Sequence, residues 1–321
     1  MGQARGMTAN RLKEIVRRQR APEFGAGYEP AIKATREEAP AGSRPATVWS
    51  RLLARDVHTL SVPEREVLAL LLYCPSLFEL QEQRMLPFLA APHPLHAHPR
   101  AKDESLKDFR GTLAVAEERG CLSFHPSVHV DGEEVPACWI GDFLGFFTDR
   151  LGPYCVNFNV KSTREEFAVP QVGISVRTDK ARAAAKEGFR HLVERELYAD
   201  IDIRTVEVAA AELPPMLTAN LLQQLLWQKR EHLLTDEQVQ IVLDGFNLGL
   251  VCRATPLDVM VSIEQTHGIP RYEQRIVFEQ GIFARQIRVD LFESHIFVDK
   301  PMLPEKTDAL EAYADWFRRG L

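Results

Sequence analysis

The period of the hydrophobic positions changes along the chain, and each change marks a different element. Val67, Leu68, Leu70, Leu71 and Leu72 cover most of a helical circumference. Ahead of them, Ser61-Val-Pro-Glu64 is a capping-box pattern with Pro63 in the first turn, so a buried helix is predicted over 64–73. From Cys121 the pattern turns strand-like. The runs 122–130, 135–148 and 154–162 are rich in Phe, Val, Ile and Cys, with turn signals at Asp131-Gly132 and over 149–153. In the third run Cys155, Asn157, Asn159 and Lys161 fall on one face, and Val156, Phe158 and Val160 on the other. Over 178–198 the period returns to helical, with Ala181, Ala185, Phe189, Leu192 and Val193 on an apolar stripe. Residues 201–208 then alternate like another strand.

Strands flanked by two buried helices predict a mixed α/β domain over 46–210. After Pro214-Pro215 the pattern becomes helical, over 217–232, 236–250, 257–265 and from Tyr272 onward, which predicts a separate helical domain over 211–321. Residues 1–45 read as a loosely structured basic arm. A short helix is possible over 10–20, but Pro22, Gly25, Gly27, Pro30, Pro40, Gly42 and Pro45 interrupt any regular element after it.

Composition narrows the class. The chain has 321 residues, 45% hydrophobic and 26% charged, which is enough apolar surface to offset chain entropy and excludes wholesale disorder. The longest apolar run, 67–74, falls far short of the ~20 residues needed to cross a bilayer, and no signal-peptide pattern is read at the start. Five cysteines without CxxC spacing argue against a disulfide framework or a cysteine zinc site and for a reducing cytoplasm. Net charge is −6, so no bulk polycation coats nucleic acid here, although Arg5, Arg11, Lys13, Arg17, Arg18 and Arg20 make the first twenty residues locally basic. Such a stretch contacts phosphates or is simply solvated.

The most informative constellation is Glu64 on the buried helix, Asp142 on the second strand run, and Asn159-Val160-Lys161 on the third. An acid on one strand, followed after a hairpin by a polar residue two before a lysine, gathers these side chains at one sheet edge, because i and i+2 share a face. Phosphodiester hydrolysis needs a divalent ion held by carboxylates and an ammonium beside it. Glu66 is the rival to Glu64, but it points about 200° around the helix from it, so only one of them can face the site.

The ordered set resembles the PD-(D/E)XK nuclease fold, and within it the TnsA-type endonuclease subunit of heteromeric transposases. Four segments carry the resemblance: the glutamate-led leucine helix from Glu64, the glutamine-bearing Leu80-Gln-Glu-Gln83, the acid strand Trp139-Ile-Gly-Asp142, and the ligand-x-lysine strand Phe158-Asn-Val-Lys161. The resemblance implies a restriction-endonuclease-like mixed sheet flanked by helices. It implies Glu64 and Asp142 as Mg2+ ligands, with the Asn159 side-chain oxygen and the Val160 carbonyl near the ion and Lys161 assisting the nucleophile. Mn2+ is expected to substitute. It further implies cleavage of double-stranded DNA at the 5′ ends of a transposon, alongside an integrase-type transposase and an AAA+ ATPase regulator, in a bacterial cytoplasm at the nucleoid. Gly141 stands where the family usually has Pro, and Asn159 where Glu or Gln is usual. Asn159 keeps an acceptor oxygen but adds no charge.

Several further groups are open to two readings. Arg182, Lys186 and Arg190 recur at i, i+4 and i+8, either tracking a phosphate backbone or forming a solvated helix face. His93, His96 and His98, with Asp103 and Glu104 nearby, have the composition of a zinc site, but the interleaved prolines predict an extended exposed loop. Near the end, helices beginning at Thr255-Pro-Leu-Asp258 and Pro270-Arg-Tyr-Glu273, a third over 278–294 and a strand-like 295–299 suggest a winged helix, with Arg285 and Arg288 offered to phosphates. A protein-docking helical domain is the alternative. For the whole chain, a free-standing restriction- or repair-type nuclease and an inert DNA- or protein-binding scaffold of the same fold stand as the other readings.

Overall fold

The computed structural model describes residues 7–21, 23–101, 106–168 and 179–320, the side chains of 179–184 excepted. Helix α1 (Ala9–Gln19) opens it, capped by the Thr8 side chain, and a ribbon of β1 (Ala46–Ser50) and β2 (Arg55–Thr59) follows. Next come α2 (Val62–Tyr73), β3 (Leu77–Met85), α3 (Thr112–Glu118) and a second ribbon of β4 (Ser127–Val130) and β5 (Glu133–Pro136). The hairpin β6 (Ile140–Asp149) and β7 (Gly152–Lys161) precedes α4 (Asp179–Ala199) and β8 (Arg204–Ala209). The chain then runs through α5 (Pro215–Leu225), α6 (Asp236–Val251), α7 (Pro256–His267), α8 (Arg271–Phe283) and the short α9 (Ala309–Ala312).

The central sheet has the order β3-β6-β7-β8. Its first three strands are antiparallel and β8 is parallel to β7, a pairing that needs the crossover supplied by α4. The molecule is therefore α/β with a mixed sheet flanked by helices. The predicted alternation on β7 sorts its two faces. Val156, Phe158 and Val160 join Phe143 and Phe147 in an apolar cluster with α2, while Cys155 lies with Leu144, Phe146, Phe189 and Val193 under α4.

The change of character near 210 is a change of element type. The apolar cluster on the α2 face continues without a break through Leu217, Leu221, Phe246 and Phe278 of the C-terminal helices. No hairpin closes that region among the described residues. Helix α8 stops at Phe283, because Arg285 turns left-handed (φ 62°) and Gln286 N–H returns to the Gly281 carbonyl while Arg285 N–H returns to Ile282. That is the Schellman arrangement, which satisfies the last carbonyls and ends the helix. Residues 295–299 are not a strand, since the Asn220 side chain takes the backbone of Leu291, Ser294 and Ile296 out of any ladder. The winged-helix expectation is thereby corrected.

The loose N-terminal arm is corrected as well. Leu12 and Ile15 of α1 are buried with Ala31, Val128 and Cys138, and Arg18 pairs with Glu38 at 2.7 Å. Tyr28 Oη donates to the Glu82 carbonyl (2.7 Å) and Gly25 N–H to the Glu79 carboxylate (2.5 Å), so side-chain bonds across some fifty residues of chain fix an irregular backbone. Arg5 and Pro22 lie outside the described residues. No helix among the described residues is long and apolar enough to cross a membrane.

Candidate active site

The site begins with the cap of α2. Ser61 Oγ accepts from Glu64 N–H (3.2 Å) and donates to Glu64 Oε1 (2.8 Å), while Leu60 N–H reaches Glu64 Oε2 (2.8 Å). The carboxylate thus turns back over the helix N-terminus, one residue beyond the usual capping-box partner. Gln83, in a left-handed conformation (φ 47°) that interrupts the β3–β6 pairing between Glu82 and Arg84, donates Nε2 to the same Oε2 at 3.0 Å. A non-glycine residue held there costs about 1–3 kcal/mol and marks a place where the surroundings over-determine the backbone. Here the distortion delivers a hydrogen-bond donor to Glu64. Glu66, the rival acid, lies on α2 away from this network.

Asp142 comes from the β6 end of the sheet, just past the last ladder pair, Phe143 with Phe158. Where the strands part, its Oδ2 accepts Val160 N–H at 2.7 Å in place of a strand carbonyl. Since N–H and C=O of one strand residue point to the same side, the Val160 carbonyl also faces β6. Glu64 is buried, and its pKa is pushed up to about 7, first by burial and then by the charge of Asp142. The bonds from Leu60 and Ser61 and the charge of Lys161 only partly offset this. Glu64, Asp142 and Lys161 therefore lie within electrostatic reach of one another, and neither acid forms an ion pair among the described residues.

Lys161 Nζ donates to Glu187 Oε1 of α4 at 2.6 Å. Burial raises the Glu187 carboxyl, but the His191 hydrogen bond and the charges of Arg190 and Lys161 more than reverse this and hold it far below the usual range. Asn159 is fully buried. The hydrogen-bond network orients its amide so that N–H groups reach both Glu194 oxygens (2.9 and 3.0 Å) and its oxygen accepts from His191 Nδ1 (3.2 Å). Its amide oxygen keeps at most one free lone pair, so the expected Asn159 ligand is engaged elsewhere. Glu194 is itself fully buried and pushed up to about 7 by burial, against the opposing charge of Arg190. A Cβ at Gly141 would stand 2.7 Å from Glu194 Oε1, which explains glycine at that position.

The sequence pattern places Arg190 only in a basic face for phosphates or solvent and leaves out Glu187, His191 and Glu194. The spacing of the four, i, i+3, i+4 and i+7, is a mixed-charge stripe on one face of α4, beside the apolar Phe189, Val193 and Leu197, and that stripe was the available signal. The expected basic face breaks up. Arg190 is buried, donating to the Ile140 carbonyl (2.7 Å) and pairing with Glu187 (3.1 Å) and Glu194 (3.4 Å), while Lys186 is exposed and the Arg182 side chain lies outside the described residues. Arg285 and Arg288 are not open to phosphates either, since Asp308 clamps Arg285 (2.6 Å) and Glu305 and Asp308 hold Arg288 (2.7 and 2.9 Å).

The histidine loop is folded inward rather than extended. His93 and His98 are buried and use Nδ1 to accept Leu95 and Arg100 N–H, and His98 packs against Phe24 and Phe78; Asp103 and Glu104 lie outside the described residues.

Two carboxylates lie within electrostatic reach of each other and of the Lys161 ammonium, and the Val160 carbonyl faces the same gap between β6 and β7. This donor set is all oxygen, as a hard divalent cation requires, although no third His, Cys, Asp or Glu completes a metal-ligand group among the described residues. No protein-family model matches the chain, and no curated protein matches it.

Proposed function

We propose that the chain is a divalent-metal-dependent DNA endonuclease of restriction-endonuclease-like fold, with Glu64, Asp142 and Lys161 as its catalytic residues. One observation carries the reading: Glu64 and Asp142, on different elements, lie within electrostatic reach of each other in a partly dehydrated site, and neither forms an ion pair among the described residues. Like charges brought together this way cost stability, and a hard cation between them removes the cost. Mg2+, or Mn2+ in its place, would be held by the two carboxylates and the Val160 carbonyl and would supply Lewis-acid polarisation of a phosphoryl oxygen.

The chain's own residues do the rest. Leu60 N–H, Ser61 Oγ and Gln83 fix the Glu64 carboxylate, and Val160 N–H fixes that of Asp142, so neither has to reorganise on binding. Glu187 anchors the Lys161 ammonium at the edge of the pair, where it can orient a water and offset negative charge developing on the phosphate. The setting in transposition, with DNA at transposon ends, an integrase-type transposase and an AAA+ ATPase as partners, rests on the resemblance of the segments around Glu64, Gln83, Asp142 and Lys161. A second reading, an inert scaffold, draws on one observation, the engagement of Asn159 by Glu194 and His191.

The test is strand cutting at transposon ends with Mg2+ and the partner transposase. Asp142→Ala and Lys161→Ala are each expected to lower the cutting rate by at least about 10³-fold while the melting transition stays cooperative. Full 5′-end cleavage by either variant would remove the site assignment. Cutting by the purified chain without any partner would favour a free-standing nuclease.

A further inference from the structure

On the far side of β3 from Glu64, a cavity of about 180 Å³ opens between the N-terminal segment, β3 and the histidine loop. A single water needs only about 10–15 Å³ of such space, so the cavity is large enough for a small solute. Its walls include Tyr28, Gln81, Arg84, His93 and Phe109, with Arg20 at the exposed end.

Arg84 is the unusual group. Arg55, Arg190, Arg275 and Arg285 are also withdrawn from solvent, and each faces a carboxylate, from Glu82, Glu187, Glu279 and Asp308 respectively. Arg84 makes no ion pair among the described residues. Among the described residues its guanidinium donates to the neutral Gln81 amide oxygen, the Tyr198 hydroxyl lies nearby, and its buried Nε has no partner. An uncompensated guanidinium in a partly dehydrated site is costly, and this chain neutralises the others. The charge of Arg84 adds to burial in depressing His93 to about 4, so His93 is neutral at physiological pH. Arg20 likewise carries no ion pair among the described residues. Glu23 is the one carboxylate in the lining, against Arg18, Arg20 and Arg84, and Arg18 is already taken by Glu38 and Glu14.

We propose that this cavity is a binding site for a small oxyanion, a phosphate or a carboxylate, anchored by Arg84 and assisted by Arg20. The planar fork of an arginine matches both oxyanions in a way that no other side chain does. The inference stands apart from the nuclease reading, since Gln83 and Arg84 serve opposite sides of β3.

The full chain is titrated calorimetrically with inorganic phosphate and, separately, with succinate, at neutral pH and low ionic strength. Saturable one-to-one binding of at least one probe is expected, and the probe that binds tells phosphate from carboxylate. Arg84→Gln is expected to weaken it by at least about tenfold and Arg20→Gln by about threefold. Arg84→Lys, which keeps the charge and guards against misfolding, is expected to lose most of the affinity, and the rise in melting temperature with the probe should vanish with it. No saturable binding of either probe, or undiminished binding by Arg84→Gln, overturns the proposal. So does a duplex oligonucleotide that binds through Arg84 while both small probes fail.

Discussion

Two places in this molecule gather charged side chains from distant parts of the chain, and they do so in opposite ways. At the end of α8, Arg285 and Arg288 meet Asp308 and Glu305, and Arg285 lies over the Tyr73 ring at 5.2 Å. Every charge there has its counter-charge, and Asp308 is depressed to about 2, first by its bond from Arg285. At the parting of β6 and β7, the buried Glu64 and half-buried Asp142 repel each other while the nearby charges of Lys161 and Arg190 are shared with Glu187, and Glu64 is raised to about 7. A neutralised cluster ties elements together. One compensated only in part is a cost that folding alone does not explain, and perturbation of that kind collects at functional sites.

The largest expected effect on this contrast comes from the tie. Arg285→Gln leaves a partly buried Asp308 without its bidentate partner and removes the contact over Tyr73. A loss of about 2 kcal/mol is expected in denaturant unfolding, with strand cutting and the salt dependence of DNA binding unchanged. A drop in DNA affinity without a change in stability would make Arg285 a phosphate contact after all.

The opposite sign is expected at the site. In the unfolded chain Glu64 titrates near the ordinary 4.5, and in the folded protein near 7. Below the lower value both states are protonated and the site costs nothing. Between the two the unfolded chain releases a proton that the folded one keeps, so the cost grows with pH and is complete above about 7. Glu64→Gln keeps an acceptor for Leu60 and a group for Ser61, and is expected to stabilise the metal-free protein by about 1 kcal/mol in mildly alkaline buffer. That gain should fade as the pH approaches the ordinary carboxylate range. A destabilised Glu64→Gln at every pH would make Glu64 a structural cap and nothing more.

Much of this arrangement was legible in the residues themselves. The capping-box spacing located the start of α2, and the two-residue period of β7 sorted Asn159 and Lys161 from Phe158 and Val160. What local patterns could not reveal depends on partners far along the chain. Nothing in Leu80-Gln-Glu-Gln83 announces that Gln83 turns left-handed, because the bond to Glu64 that accompanies it belongs to another element. Arg190 reads as a phosphate contact or a solvated cation because Lys186 and Arg182 precede it at four-residue steps, yet α4 lies on the sheet along that side and buries it against Glu194. Arg285 and Arg288 misled for the same reason, since Asp308 and Glu305 follow some twenty residues later. The proline- and glycine-rich start was misread because long-range side-chain bonds order it, and these leave no periodic trace.

The account stands most directly on whether the paired acids hold a cation. Calorimetric titration of the metal-free chain with Mn2+ is expected to show one saturable site that Asp142→Asn and Glu64→Gln each weaken by at least about tenfold, while Arg285→Gln leaves it unchanged. Absence of saturable binding, or a site indifferent to Asp142, would contradict the central claim.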